Sequence, residues 1–457
     1  MRNVKKLITA LLCGALLAGA FTGCGSRGVE GSAGDGTSLD GTSMDSANDG
    51  IKDDTVRGDT GTGAEAESSL GAADSEGDPG QGVAEYQIPE VDIDPFEVPD
   101  TEAFQFVRDM KIGWILGNTF DAYNDGIVKD ELDIETAWCG VATTKEMFDD
   151  IKAAGFNSVR IPVSWHNHVD EAYQISEAWL DRVQEVVDYA YDNGMYVILN
   201  IHHDNSEEFM YPDSAHLEQS VRYITTVWEQ LCQRFGEYDQ HLIFECMNEP
   251  RLVGSQYEWW INAGAEECKD AIACINQINQ EFVNTVRASG GNNLNRYLMV
   301  PGYDASPDGA LNNGFVLPTD AEGVEDKLIV SVHAYTPYNF ALQADGESGS
   351  TAEFDSDSAS SVADINSFMD RLYKKFISNG VPVIIGEFGS RDKGQNIQAR
   401  IDHAVYYVAA ARARGMSCLW WDNNAFTGNG ENFGLYYRRS GRFLYPDIVA
   451  ALMKYAD

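Results

Sequence analysis

Two glutamates in this chain each follow a run with the character of a buried strand. Glu249 comes after Leu-Ile-Phe-Glu-Cys-Met-Asn, and Glu387 after Pro-Val-Ile-Ile-Gly. A carboxylate at the end of an apolar strand costs free energy unless a cation or a reaction uses it. Two that face one cavity push their proton affinities apart, which yields one acid and one nucleophile. Glycosidic-bond hydrolysis needs such a pair, set about 5–5.5 Å apart where anomeric configuration is retained. Either glutamate alone reads equally well as half of a structural ion pair.

The elements that would position them recur along residues 101–457. Strand-like runs cover 111–116, 158–162, 196–201, 242–247, 297–301, 328–333, 383–386 and 417–421. Helical patterns lie between them at 144–154, 177–193, 218–235, 267–288, 362–379 and 397–414, and glycines 155, 194, 290, 380 and 415 are placed to end helices. Eight strands alternating with helices predict an α/β fold, a (β/α)8 TIM barrel. An open doubly wound sheet is the alternative, but no GxGxxG follows an early strand. Glu249 and Glu387 stand 138 residues apart. At about 46 residues per repeat, that puts them on strands four and seven, across the C-terminal mouth where barrels collect reactive groups.

Other strand ends are polar too: Arg160-Ile-Pro, His202-His203-Asp204, Asn248, His333-Ala-Tyr335 and Trp420-Trp421-Asp422. A guanidinium at Arg160 would orient Glu387. His202 and His203 suit hydrogen bonding to sugar or carboxylate better than metal ligation, because no third ligand stands at metal spacing in the sequence. Asn248 is placed to bond a substrate 2-hydroxyl, and Tyr335 to donate to Glu387. Of the aromatics Trp114, Trp421, Tyr123, Trp138, Trp165, Trp259 and Trp260, core packing is expected for all except Trp421.

Charge narrows the partners. The 457 residues carry 32 Lys+Arg against 72 Asp+Glu, a formal net charge of −40. Such a surface repels nucleic-acid phosphates and anionic bilayers, and favours a neutral substrate. The chain opens with a basic segment, then an apolar run from Leu7 to Phe21 ending in Phe-Thr-Gly-Cys24. That run is shorter than the roughly 20 residues a spanning helix needs. It reads as a lipoprotein signal peptide over 1–23, with Cys24 as the lipidation site and the only membrane contact made through that anchor. Residues 24–100 read as a disordered acidic tether. From 25 to 85 it holds no aromatic residue and fourteen glycines. Its reach would be about 45 Å. The expected localisation is an exported, membrane-anchored protein with an extracellular domain at 101–457. An oxidising compartment would permit a Cys268–Cys274 disulfide.

Taken in order, these motifs resemble glycoside hydrolase family 5. Residues 242–251 and 383–389 look like its acid/base and nucleophile motifs. Arg160-Ile-Pro-Val-Ser-Trp, Ile-Leu-Asn-Ile-His-His (198–203), Trp-Trp-Asp-Asn (420–423), Gly-Trp-Ile-Leu-Gly-Asn-Thr-Phe-Asp-Ala (113–122), Glu135-Thr-Ala-Trp and Ser289-Gly-Gly-Asn-Asn match as well. Together they are similar to subfamily 4, which holds endo-β-1,4-glucanases. The resemblance implies Glu249 as acid/base and Glu387 as nucleophile. Arg160, His202, His203, Asn248, His333 and Tyr335 would support them, Asn118 and Trp421 would bind substrate, and no cofactor or metal would be required. It further implies a retaining endo-glucanase acting on cellulose-type glucan, xyloglucan or mixed-linkage β-glucan. A β-mannanase on the same carboxylates and a non-catalytic glycan-binding lipoprotein are the competing readings. The chain departs from the family's Gly-Trp-Asn-Leu-Gly-Asn at Ile115, which strand alternation turns into the barrel wall.

Overall fold

The computed structural model describes residues 85–123, 130–428 and 430–457. The signal peptide, Cys24 and most of the expected tether lie outside the described residues.

Eight parallel strands close on one another in sequence order: β1 (Ile112–Leu116), β2 (Ser158–Ile161), β3 (Tyr196–Asn200), β4 (Leu242–Glu245), β5 (Leu298–Pro301), β6 (Leu328–His333), β7 (Val383–Phe388) and β8 (Ser417–Asp422). β8 pairs back to β1, with Trp114 opposite Trp420 and Ile115 opposite Trp421. The helices are α1 (Glu102–Met110), α2 (Lys145–Ala153), α3 (Glu177–Tyr191), α4 (Leu217–Arg234), α5 (Glu266–Ala288), α6 (Pro307–Leu311), α7 (Tyr338–Ala341), α8 (Ala359–Lys375), α9 (Ile397–Ala413) and α10 (Pro446–Met453). All five glycines expected to end helices adopt positive φ.

Strand alternation sorts the core into two apolar bodies. Ile198, Ile243, Met299, Ile329, Ile384 and Leu419 fill the barrel interior, and α1 stoppers its N-terminal end with Phe106, Val107 and Met110. Phe106 stacks on Tyr297, just ahead of β5, at a ring-centroid distance of 3.7 Å. Ile115 belongs to this interior set rather than to the wall. Trp114 is the residue turned outward, where its indole N–H donates to Asp422 at 2.9 Å.

Two expectations are corrected. Residues 85–100 are not free tether: Phe96 N–H donates to Ala413 O at 2.8 Å, and Tyr86, Ile88, Val91, Ile93 and Val98 pack against the core. Cys268 and Cys274 are free thiols. Six residues apart on α5, they are separated by about 9 Å of helix rise, beyond disulfide reach.

Candidate active site

Arg160 organises the mouth. Its β2 position sends a fully buried guanidinium into the barrel, and each nitrogen finds a different acceptor, two from β4 and the loop that follows it and one from β7. Nε donates to Glu245 at 2.7 Å, Nη1 to Glu387 at 2.7 Å and Nη2 to Asn248 Oδ1 at 2.8 Å. Burial opposes its charge, but Glu245 and Glu387 outweigh that and raise its pKa. Glu245 in turn accepts from Asn200 Nδ2 at 3.1 Å and Ser331 Oγ at 2.6 Å. A buried charge cluster is stable only when every member is satisfied in this way. Glu245, Asn200 and Ser331 do not stand out as site residues in the sequence. The signal was a glutamate within the apolar run Leu-Ile-Phe-Glu-Cys, where a lone charge demands a partner.

Glu387 sits within β7, which runs two residues beyond its expected end. The register slips between β6 and β7 at Val332/His333 and again between β7 and β8 at Ile385/Phe388. Such irregularities re-aim side chains next to sites. A Cβ at Gly386 would stand 3.1 Å from His333 Nε2, so the glycine makes room for that ring. Glu387 Oε2 accepts from the Tyr335 hydroxyl at 2.9 Å. Burial and the charge of Glu387 raise the Tyr335 pKa well above its ordinary value, so the phenol keeps its proton.

Glu249 faces Glu387 from the loop after β4. One oxygen of each and a ring nitrogen of His333 lie within 4.8 Å of one another. His333 Nδ1 is 2.8 Å from Glu249 Oε1 and 3.7 Å from Glu387 Oε1. Burial works to raise the Glu249 pKa, but the His333 hydrogen bond and the charges of His333, Arg251 and His203 hold it down to about 2. Conversely, burial works against charge on His333, and Glu387 and Glu249 together raise its pKa.

His202 is buried, takes a hydrogen bond from Asn200 Nδ2 on Nδ1 at 3.1 Å, and lies parallel to Trp421 at a centroid distance of 6.0 Å. Burial lowers the His202 pKa, helped by the charges of His203 and Arg160. Burial likewise lowers His203, to about 4. Both rings are therefore neutral near neutral pH. The structure supplies a third donor that the sequence spacing hid: Asp121, with an oxygen within 4.8 Å of both histidines. Asp121 already accepts backbone N–H groups from Asn118 at 3.0 Å and Thr119 at 2.6 Å. It forms a braced polar floor under the histidines. Asn118 itself is half-buried in the turn after β1 at φ 57°.

The aromatics divide differently from expectation. Trp114 and Trp165 are core, and Trp421, the one expected outside it, is also buried, at 8% exposure with the barrel-interior cluster, but Tyr123, Trp138, Trp259 and Trp260 are exposed by 41, 42, 54 and 70%. Tyr123 and Trp138 lie edge to face at 5.3 Å, and Trp138 reaches His203 at 5.9 Å. In the loop after Glu249, Trp259 covers the Arg251 guanidinium at 3.9 Å, and Trp260 meets Tyr338 at 5.8 Å. Flat apolar faces thus flank the carboxylate pair on loops after β1 and after β4.

Comparison with known proteins agrees with this geometry. Residues 121–427 match the family described as Cellulase (glycosyl hydrolase family 5). Endoglucanase 1 of Ruminococcus albus is 45% identical over 362 residues, covering 78% of this chain and 82% of that protein. Cellulase/esterase CelE of Acetivibrio thermocellus is 43% identical over 358 residues; this chain spans only 40% of its length. Among solved structures, a family 5 lichenase from Caldicellulosiruptor sp. F32 superposes with a TM-score of 0.81 at 57% identity, over 82% of this chain and all of that one. A GH5-4 broad specificity endoglucanase from Ruminococcus champanellensis with bound cellotriose gives 0.71 at 45% identity, over 79% of this chain and 100% of that one. The chain belongs to glycosyl hydrolase family 5, with subfamily 4 endoglucanases among its structural neighbours.

Proposed function

We propose that the protein is a retaining endo-β-1,4-glucanase acting on β-glucans. The observation that carries this is the carboxylate pair, with oxygens of Glu249 and Glu387 within 4.8 Å across the mouth. Retaining enzymes hold their carboxyls about 5–5.5 Å apart, whereas inverting ones need about 6.5–9.5 Å to admit a water. Relatives at this level of identity are endoglucanases and a lichenase, and one lichenase structure is a complex with cellotetraose. Aromatic faces on both sides of the pair suit a polymer lying across the site rather than one end of it.

In this reading Glu387 attacks the anomeric carbon while Glu249 delivers its proton to the departing glycosidic oxygen. The C–O bond breaks and a glycosyl ester forms on Glu387. Glu249, now a carboxylate, takes a proton from water. The resulting oxygen bonds to the anomeric carbon, and Glu387 leaves with its electron pair. Arg160 and Tyr335 hold the two Glu387 oxygens in place. Asn248, its Oδ1 held by Arg160, is turned toward the sugar 2-hydroxyl. His202, His203, Asn118 and Trp421 line the glycone side.

The test is reducing-end release by the 85–457 fragment on carboxymethylcellulose, xyloglucan, lichenan and mannan, with Glu387→Gln as control. Release from one or more glucans, abolished in the variant, is expected. Release from mannan alone would overturn the substrate and keep the mechanism. Binding without release would favour glycan capture. The basic start, apolar run and Cys24 further support export and lipid anchoring of an extracellular catalytic domain. Cys24→Ala should then move the protein from the membrane to the soluble fraction.

A further inference from the structure

Behind Glu249 lies a second charged cluster that the hydrolytic scheme does not use. Arg251 Nη1 is 3.6 Å from Glu249 Oε2, while its Nε is 3.5 Å from Glu258 Oε1 and 3.9 Å from Asp304 Oδ1. The Arg251 Nε and Asp304 Oδ1 atoms are both buried and make no hydrogen bond among the described residues. Asp304 is held there by its backbone: φ is 56° at Asp304 and 44° at Ala305, and the Asp304 N–H donates to Pro250 O at 2.8 Å. Two successive non-glycine residues at positive φ mark a conformation imposed by the surroundings, a feature that concentrates at functional sites.

Arg251 and His333 together offer two positive charges to Glu249, Glu258 and Asp304, and burial of Asp304 opposes its ionisation, so the cluster favours keeping one proton. The other groups facing Glu249 are His333 from β6, Glu387 from β7, His203 after β3 and Glu431 after β8. Asp304 lies 3.9 Å from Arg251 and within the electrostatic reach of Glu249, Glu258 and Glu387. Burial and the charge of Glu249 push the Asp304 carboxyl up to about 9, so the retained proton rests there in the free enzyme.

We propose that Asp304 is a positioning residue for Glu249, acting through Arg251: it holds the guanidinium back from the acid/base carboxyl and shares one exchangeable proton with it. This rests on the reading of Glu249 as acid/base. Two carboxyls sharing a proton keep a constant fraction of Glu249 protonated across the pH range between their two macroscopic titrations. With Asp304 unable to ionise, Glu249 faces Arg251 and His333 alone. Its protonated fraction then falls tenfold per pH unit, and the alkaline limb of the rate profile moves to lower pH.

The experiment measures kcat/KM against pH for the 85–457 fragment and its Asp304→Asn variant on lichenan and on 2,4-dinitrophenyl β-cellobioside. The phenolate leaves without a proton, so its kcat/KM does not report Glu249 as an acid. The expected result is an alkaline limb about one pH unit or more lower on lichenan and unmoved on the aryl glycoside. Asp304→Gly, which relieves the positive φ, should repeat the shift if the asparagine variant folds poorly. An unmoved limb on lichenan, or equal losses on both substrates at every pH, would overturn the proposal. Retained lichenan turnover by Glu249→Gln would instead sink the acid/base reading beneath it.

Discussion

Arg160 Nη1 lies 2.7 Å from Glu387 Oε1, and the same guanidinium binds Glu245 and Asn248 through its other nitrogens. One rigid fork thus sets the attacking carboxylate relative to two groups from β4 and the loop that follows it. Lysine has one nitrogen on a flexible stem and cannot hold three acceptors on three fixed vectors. Arg160→Lys should lower kcat by about 10²-fold or more, with a smaller change in KM. Arg160→Met should leave Glu245 buried without its cation and cost about 3–5 kcal/mol of stability. Kinetics on lichenan and urea unfolding of the two variants separate the effects. Wild-type kcat in the lysine variant would remove the orienting role.

If Glu249 is the group that protonates the leaving oxygen, its loss should depend on what leaves. Glu249→Ala should slow lichenan hydrolysis about 10²–10⁴-fold, the usual scale for general acid–base catalysis. Added azide needs no general base to attack the glycosyl ester. It should accelerate turnover of an activated aryl cellobioside and give the β-glycosyl azide. An α product would contradict a double displacement.

Trp138 is 42% exposed and touches both Tyr123 and His203. A side chain so open contributes little to the core, and its exposed flat face is suited to stacking against sugar. Trp138→Ala should raise KM for long glucans by about tenfold, as expected for loss of roughly 1.4 kcal/mol of binding, with kcat and the melting temperature nearly unchanged. A fall in melting temperature with no change in KM would return Trp138 to a packing role.

His403 on α9 is fully buried, with Nε2 donating to Thr336 O at 2.9 Å and Nδ1 unpartnered among the described residues. Protonating Nδ1 would bury an unsatisfied N–H, and burial accordingly lowers its pKa to about 4, against the pull of the Thr336 carbonyl. The unfolded chain takes up that proton near pH 6.5, before the native state does. Stability from this site is therefore complete above about pH 6.5 and is lost as pH falls toward 4, at most roughly 3 kcal/mol. His403→Gln, which keeps the donor to Thr336, should flatten the decline in melting temperature between pH 7 and 4.5. An equal slope in both proteins would mean that other buried groups carry it.

What the sequence revealed follows from the range of the forces involved. Strand runs, helix-ending glycines and the carboxylates at strand ends are local signals, and the eight-stranded barrel and the Glu249–Glu387 pair were legible from them. Ile115 was misplaced because alternation gives two faces but not which is the interior; that depends on β8 and α1 closing over it. Asp121, Arg251 and Asp304 were missed because each matters through partners far along the chain. The exposed tryptophans were assigned to the core because composition does not say which loops a barrel leaves open.

The boundary of the folded unit is the clearest case in which distant contacts overrode local composition. Residues 85–100 read as tether, yet Val91 N–H donates to the Tyr455 hydroxyl at 2.8 Å and Phe96 meets Tyr373 edge to face at 4.8 Å. Arg414 covers the Phe96 ring at 4.6 Å, and Val98 packs so tightly under Gly415 that a Cβ there would stand 2.8 Å away. The apolar residues of this segment are few but spaced along an extended backbone, each meeting a groove formed by α8, α9 or the C-terminal residues. Burying two or three such side chains contributes about 1.5–3 kcal/mol each as an upper estimate. A fragment beginning at 101 should therefore unfold at lower urea than one beginning at 85, by several kcal/mol. The contacts of Val91, Phe96 and Val98 lie at the end of the barrel away from the mouth, so kcat should be unchanged in both. Equal unfolding midpoints would show that these contacts add nothing and restore 101 as the functional boundary.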